Sequence, residues 1–362
     1  GRFSSAIDRN GILWLGTPGQ GVLKYDKRKE LFRSNFHSDK TLLNAINNKL
    51  VVLKNNNDIN TLNPLGNNFD NLFPPGFAKQ NWNSIGFLTI TKNEEIWFTT
   101  SGFDGTEYLL NYKPENKKII RFKLSLHSIG KVYALFSDNE NQLWALIHCT
   151  DNKRKTVKLN KENGEAIAAY TFPIKNDLNE YPFISQHYQD KNGNFWFGTM
   201  QGLFKFNEKN SQWYQWKNNP GNKNSLSTNM IFSICADTKE PEKFIWLGTN
   251  GAGLNQFDIE NEKFVRYNIQ NGLPNNVVYG ILPDETGNLW LSTNKGISCF
   301  NTTNKSFRNF SQDDGLFGDE FNRYEFAKLK NGDLAFGGIG GFVVFNPMKI
   351  LEQKNIPEIV FT

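Results

Sequence analysis

The chain has 362 residues, 41 Lys and Arg against 36 Asp and Glu, and a formal charge of +5 with the histidines neutral. The charges are interspersed, and no apolar run approaches the roughly 20 residues that a membrane helix needs. The basic clusters Lys113 to Arg121 and Lys153 to Lys158 fall at hairpin positions, so they read as solvated strand edges and loops rather than a nucleic-acid surface. No signal peptide is expected, and the first and last residues read as cut from a longer polypeptide.

In chain order the sequence repeats one sentence. It begins as DRNGILWLGT from Asp8. A worn copy without Trp follows, TLLNAINNKLVVLKNNNDINTLNP from Thr41. Then come TKNEEIWFTT from Thr91, DNENQLWALI from Asp138, DKNGNFWFGT from Asp190, KFIWLGTN from Lys243 and DETGNLWLST from Asp284. The last copy, KNGDLAFGG from Lys330, has Ala335 where the Trp belongs. From Trp97 through Trp144, Trp196, Trp246, Trp290 and Ala335 the steps are 47, 52, 50, 44 and 45 residues. The 83 residues from Trp14 to Trp97 leave room for two steps, with the unit near Val51 between them. A repeat of about 40–50 residues built of short strands is the signature of propeller blades.

The unit at Trp196 shows the plan. FISQHYQD, NFWFGTM, LFKFNE and QWYQWK are short aromatic-rich or alternating runs separated by turn residues, which predicts four strands joined by hairpins. Units at Trp246 and Trp290 repeat it, and no stretch shows helical periodicity. The expected fold is therefore all-β, a β-propeller of four-stranded antiparallel blades over residues 1–346 with eight units, followed by an exit strand or linker over 347–362. Each repeated Trp is expected to fill the widening gap between blades, and the Gly-Thr after it to admit the neighbouring sheet.

Chemistry-bearing motifs are scarce. Cys149, Cys235 and Cys299 lie in different blades without metal-ligand spacing, and read as buried free thiols. His37, His127, His148 and His187 form no HExxH, and His187, on an innermost strand, reads as a structural histidine. No phosphate loop or calcium loop fits, and no cofactor or metal is expected. The Asp-x-x-Gly-x-x-Trp spacing is one residue longer than the Asp box of sialidase propellers, and no set of channel arginines accompanies Arg323 and Tyr324. A catalytic role is not expected of this chain.

The copies DKNGNFWFGTMQGLFKFN and FIWLGTNGAGLNQFD closely resemble the two-component regulator propeller repeat. That resemblance implies a seven-bladed ring, so the eighth unit is either an extra blade or part of a preceding propeller. It further implies the extracytoplasmic sensor region of a Bacteroidetes-type hybrid two-component histidine kinase, periplasmic within an inner-membrane protein. A homodimer in the full-length receptor is expected, with a glycan-derived oligosaccharide as ligand. The connections between blades and the second hairpins of each blade should share one face around the channel. Stacking aromatics flanked by amides and charges suit sugars there, and Trp82, Asp104, Tyr181, Asn229, Arg323 and Tyr324 are the candidate ligand-binding residues. Two other readings stand beside this one: a protein-interaction or dimerisation scaffold without a small ligand, and a glycan-active propeller enzyme.

Overall fold

A computed structural model describes residues 4–7, 13–17, 21–25, 32–36, 40–54, 58–63, 69–71, 84–101, 106–124, 131–149, 153–173 and 184–352. The eight units resolve into seven four-stranded antiparallel blades and one separate three-stranded sheet. That sheet holds the unit around Trp14, as strands Ser4–Ile7, Leu13–Thr17 and Gly21–Tyr25.

Blades 1 to 6 each use four consecutive strands, beginning with the inner strands Lys40–Ile46, Ser84–Ile90, Lys131–Ser137, Ile184–Gln189, Ile231–Ala236 and Val278–Pro283. Blade 7 is built differently. Its three inner strands, Phe321–Lys328, Leu334–Gly338 and Gly341–Phe345, come from the last unit, and its outer strand is Arg33–Phe36. The unit around Trp14 has thus given its fourth strand to the last blade, which closes the ring. The inner strand of blade 7 lies against those of blades 6 and 1, and the remaining inner strands adjoin in order. The degenerate unit from Thr41 is a full blade despite lacking the Trp.

Each word of the repeat has a physical task. In blade 4, Asp190 Oδ1 accepts the backbone N–H groups of Asn192 and Asn194, which ties down the first hairpin. Its Oδ2 accepts Asn194 Nδ2 at 2.8 Å and Trp196 Nε1 at 3.0 Å. Asp138, Asp237 and Asp284 hold Trp144, Trp246 and Trp290 in the same way, at 2.9, 2.8 and 3.0 Å. Burial alone would raise the Asp284 carboxyl, but the hydrogen bonds from Asn288, Trp290 and Thr286 outweigh it and hold the group below its ordinary range. Blade 2 has Thr91 at this position, and its Trp97 Nε1 donates instead to Glu95 Oε2 at 3.2 Å.

The Trp ring then packs into the following blade. Trp144 meets Phe195 edge-on at 5.1 Å, Trp246 meets Phe300 at 5.4 Å and Trp290 meets Phe345 at 4.8 Å. Lysines cap the rings from outside, Lys158 over Trp144 and Lys205 over Trp196, each at 5.2 Å. A Cβ at Gly198 would meet Ile231 of the next blade at 2.7 Å, so the glycine is what lets the two sheets approach. The Thr after it closes the second hairpin, with Thr199 Oγ1 donating to the Gly202 carbonyl at 2.8 Å. Blade is stitched to blade by the N–H groups of Gly202, Gly253 and Gly296, which donate to the carbonyls of Asn229, Asn276 and Asp319.

Of the expected exit strand or linker over 347–362, the strand alternative is corrected for residues 347–352, which form a short α-helix, Pro347–Glu352. Asn346 Oδ1 accepts the N–H groups of Met348 and Lys349 at its start, and Ile350 is buried beside Phe32, Phe310 and Phe345. Proline fixes φ at a helical value and needs no N–H at a first turn, which a strand reading overlooks. Residues 353–362 lie outside the described residues.

Trp196→Ala should cost about 3–5 kcal/mol by leaving an inter-blade cavity, and Asp190→Ala about 1–3 kcal/mol by stranding buried donors. Because Asp190 and Trp196 satisfy each other, Asp190→Ala combined with Trp196→Phe should cost less than the two single changes added. Urea unfolding of the four proteins measures this, and strict additivity would sink the idea.

Candidate functional site

Every described inner strand slips register against its neighbour at one level. The slips fall between Leu42 and Asn44, between Ile85 and Leu88, between Val132 and Ala134, and between Ile184 and Gln186. They continue between Ile231 and Ser233, between Val278 and Gly280, and, most widely, between Phe321 and Phe326. Each is an extra residue or more on the inner strand, and such a bulge re-aims a side chain. The left-over residues include Phe87, Tyr133, Phe232, Tyr279 and Tyr324. The slips lie near the strand starts, beside the inter-blade connections and second hairpins, and so at one mouth of the channel.

Blades 5, 6 and 7 bring these side chains together. The rings of Phe232 and Tyr279 lie nearly parallel, 5.6 Å apart at 16°. The Arg323 guanidinium stands 5.2 Å from the centre of the Phe232 ring and 5.7 Å from that of Tyr324. Arg323 belongs to blade 7 and Phe232 to blade 5. Side chains two blades apart can meet only where the inner strands converge, which puts the cluster in the channel mouth. Tyr279 Oη donates to Asn294 Oδ1 at 2.9 Å, anchoring its tip to the second hairpin of blade 6. Tyr324 has φ +66°, a left-handed conformation uncommon for a bulky residue. Strain of this kind gathers at functional sites. On blade 3, Tyr133 carries Lys131 at 5.8 Å from its ring centre and His148 edge-on at 6.1 Å.

Of the sequence-predicted residues, the structure brings Arg323 and Tyr324 together. Asn229 is at the same end, but its Oδ1 accepts the Asn218 N–H at 2.7 Å and its carbonyl accepts the Gly202 N–H. Trp82, Asp104 and Tyr181 lie outside the described residues. Phe232 and Tyr279 were not among the candidates. Their signal was present: aligned by strand start, KVYAL, MIFSI and VVYGI put an aromatic ring in one column.

His187 is structural. Its ring lies 4.8 Å from Phe136 of the preceding blade, and Nε2 faces the Ser137 carbonyl at 3.3 Å. A carbonyl only accepts, so Nε2 carries the proton. The three cysteines are free, and burial pushes the thiols of Cys235 and Cys299 up to about 12. Among the described residues no His, Cys, Asp or Glu cluster is arranged to hold a metal. No helix among them is long and apolar enough to cross a membrane. At the opposite end of blade 2, a groove of about 330 Å³ is lined by Asn93, Glu94, Glu95, Lys113, Pro114 and Glu115. Its Glu95 is matched by Lys113 at 3.0 Å and Lys161 at 3.1 Å.

The family model for the two-component regulator propeller matches residues 272–295, which run from Gly272 through the sentence at Trp290. Over that segment the chain thus carries a two-component regulator propeller repeat. It is similar to "Histidine kinase P4" of Formosa agariphila, at 24% identity over 338 residues, covering 78% of this chain and 23% of that protein. The chain thus spans about a quarter of the length of this curated relative. Among solved structures, it is similar in fold to virginiamycin B lyase from Staphylococcus aureus, with 13% identity and a TM-score of 0.58 over 86% of this chain and 97% of that one. A domain described as the extracellular part of a hybrid two-component system from B. thetaiotaomicron matches 97% of this chain and 52% of its own, at 19% identity and a TM-score of 0.44.

Burial depresses the His187 imidazole to about 4, the Ser137 carbonyl pulling weakly the other way. The unfolded chain then binds the extra proton between about pH 6.5 and 4, so stability should fall with pH through that window by about 1–3 kcal/mol and not change through it above pH 7. His187→Gln should flatten that part of the curve in urea unfolding at pH 7.5 and 4.5. Equal pH slopes for the two proteins would rule this out.

Proposed function

We propose that this propeller is the non-catalytic, periplasmic sensor module of a hybrid two-component signalling protein, and that it binds a glycan-derived oligosaccharide at the channel mouth. In the full-length receptor it would act as a homodimer and relay binding to a membrane-linked histidine kinase. The repeat family and the similarity to a histidine kinase support the signalling role. The observation that carries the ligand reading is the cluster of Phe232, Tyr279, Arg323 and Tyr324 from three blades.

The chemistry suits a sugar. A pyranose has an apolar face that stacks on an aromatic ring and a rim of hydroxyls that needs donors and acceptors. Tyr279 and Tyr324 offer half-buried rings, and Asn294 and Arg323 stand exposed beside them. No nucleophile with an adjacent base accompanies them among the described residues. Binding, rather than bond cleavage, is what these side chains are equipped for.

The test is a thermal-shift screen against oligosaccharides, followed by titration calorimetry. A bound ligand at a hundredfold excess over Kd should stabilise the ring by about 2.7 kcal/mol. Tyr279→Ala with Tyr324→Ala should abolish that shift and leave a cooperative melt. A flat response across the library, from a protein that sediments as a dimer, would assign the role to a protein-interaction scaffold instead.

A further inference from the structure

The chemical class of the ligand follows from Arg323. We propose that the saccharide is anionic, carrying a carboxylate or sulfate that the Arg323 guanidinium grips while the sugar ring rests on the neighbouring tyrosines. This deepens the sensor reading and rests on it.

The arginines of the two preceding blades, Arg266 and Arg308, are spoken for. Arg266 donates to the carbonyls of Asn222, Ser225 and Leu226, and Arg308 to that of Ile350. Arg323 has no acceptor and no carboxylate among the described residues; its neighbours are the faces of Phe232 and Tyr324. It is exposed, whereas the nearest acid in its own strand, Glu325, is buried and accepts Asn322 Nδ2 at 2.9 Å. A guanidinium whose neighbours are aromatic rings keeps its five N–H donors free, in the fork geometry that fits a carboxylate or sulfate with two parallel bonds. The rings also reduce the side-chain freedom lost when an anion binds.

A second cation repeats the arrangement across the mouth. Lys131, exposed at the start of the blade 3 inner strand, stands over Tyr133 and makes no ion pair among the described residues. This differs from the lysines on other strands that are matched to acids, such as Lys158 to Glu208 at 3.3 Å and Lys113 to Glu95 at 3.0 Å. A neutral sugar would use these two cations only as hydrogen-bond donors and would draw nothing from their charge. An acidic one is drawn to them and oriented by them.

An array printed with neutral, uronic-acid and sulfated oligosaccharides tests this, probed with the whole chain and with Arg323→Gln and Arg323→Lys. The expected result is retention on uronic-acid or sulfated spots only, weakened at least tenfold in Arg323→Gln. Arg323→Lys, which keeps the charge and loses the fork, should fall between the two. Which acidic spots are retained separates carboxylate from sulfate. Unchanged melting temperatures in both variants establish that the exposed side chain was not needed for folding. Binding to neutral spots alone, or acidic binding equally strong in Arg323→Gln, overturns the anion proposal while the sensor reading stands. No binding to any spot overturns both.

Discussion

The ring depends on one buried interaction, repeated in blades 2 to 6: a carboxylate that accepts a tryptophan indole N–H near the start of the second strand. A large ring is the best filler for the wedge between two twisted sheets, but its N–H must be satisfied once buried. The Asp solves this with a single side chain that also caps the hairpin two and four residues on. Where Asp is missing, the structure keeps the rule by other means. Thr91 takes over the hairpin, accepting the Glu95 N–H, and Glu95 brings the carboxylate to Trp97. Burial raises that carboxyl, but Lys113, Lys161 and Trp97 bring it below its ordinary value. In blade 7 the partners are lost together: Leu329 stands in the Asp position and Ala335 in the Trp position, both buried with Leu50, Val52 and Leu62 of blade 1. An Asp there would have no indole to serve and would bury an unpaired charge.

This dependence explains what could be read from the sequence and what could not. Blades were legible because Asp, Trp, Gly and Thr recur at near-regular spacing in most of the sheets, where each seats on the next. Even the Trp-less unit from Thr41 was legible, since alternating strands and turn residues survive the loss of the ring. The closing strand was not. Arg33–Phe36 is paired with Gly341–Val344, some three hundred residues away, and the four residues Arg-Ser-Asn-Phe carry no local mark of a distant partner. The sequence count of eight units was right, and only pairing could reveal that one of them stands outside the ring and lends a strand to it.

The mouth of the channel was half legible for a related reason. Arg323 and Tyr324 stood out because FNRYEF breaks the repeat. Phe232 and Tyr279 sit inside well-formed copies, where an aromatic residue reads as blade packing. What separates them from packing residues is the bulge, a one-residue slip in register that turns the side chain out of the alternation. No propensity distinguishes a bulged strand from a regular one, so the column of aromatics became visible only once the register was known.

Blade 7 is where the site and the architecture meet. It has the widest bulge, four residues from Asn322 to Glu325 set against Gly337 alone, and it carries Tyr324 in a left-handed conformation. The same blade is sealed by Arg33–Phe36, and the chain leaves it into the Pro347–Glu352 helix, whose Ile350 carbonyl is held by Arg308 of blade 6. Phe32, just before the closing strand, packs against Phe310 at 5.4 Å and Phe345 at 5.1 Å and so wedges blades 6 and 7 together. Blades 1 to 6 are covalently continuous sheets with a hydrophobic seam on each side. Blade 7 alone is assembled from two distant stretches of chain, and a short strand pairing is weaker than a hairpin of the same length. A ligand gripped by Arg323 would therefore load the one blade whose integrity depends on the segments that enter and leave the ring. In a sensor, that is the blade through which occupancy of the channel mouth could be felt outside it.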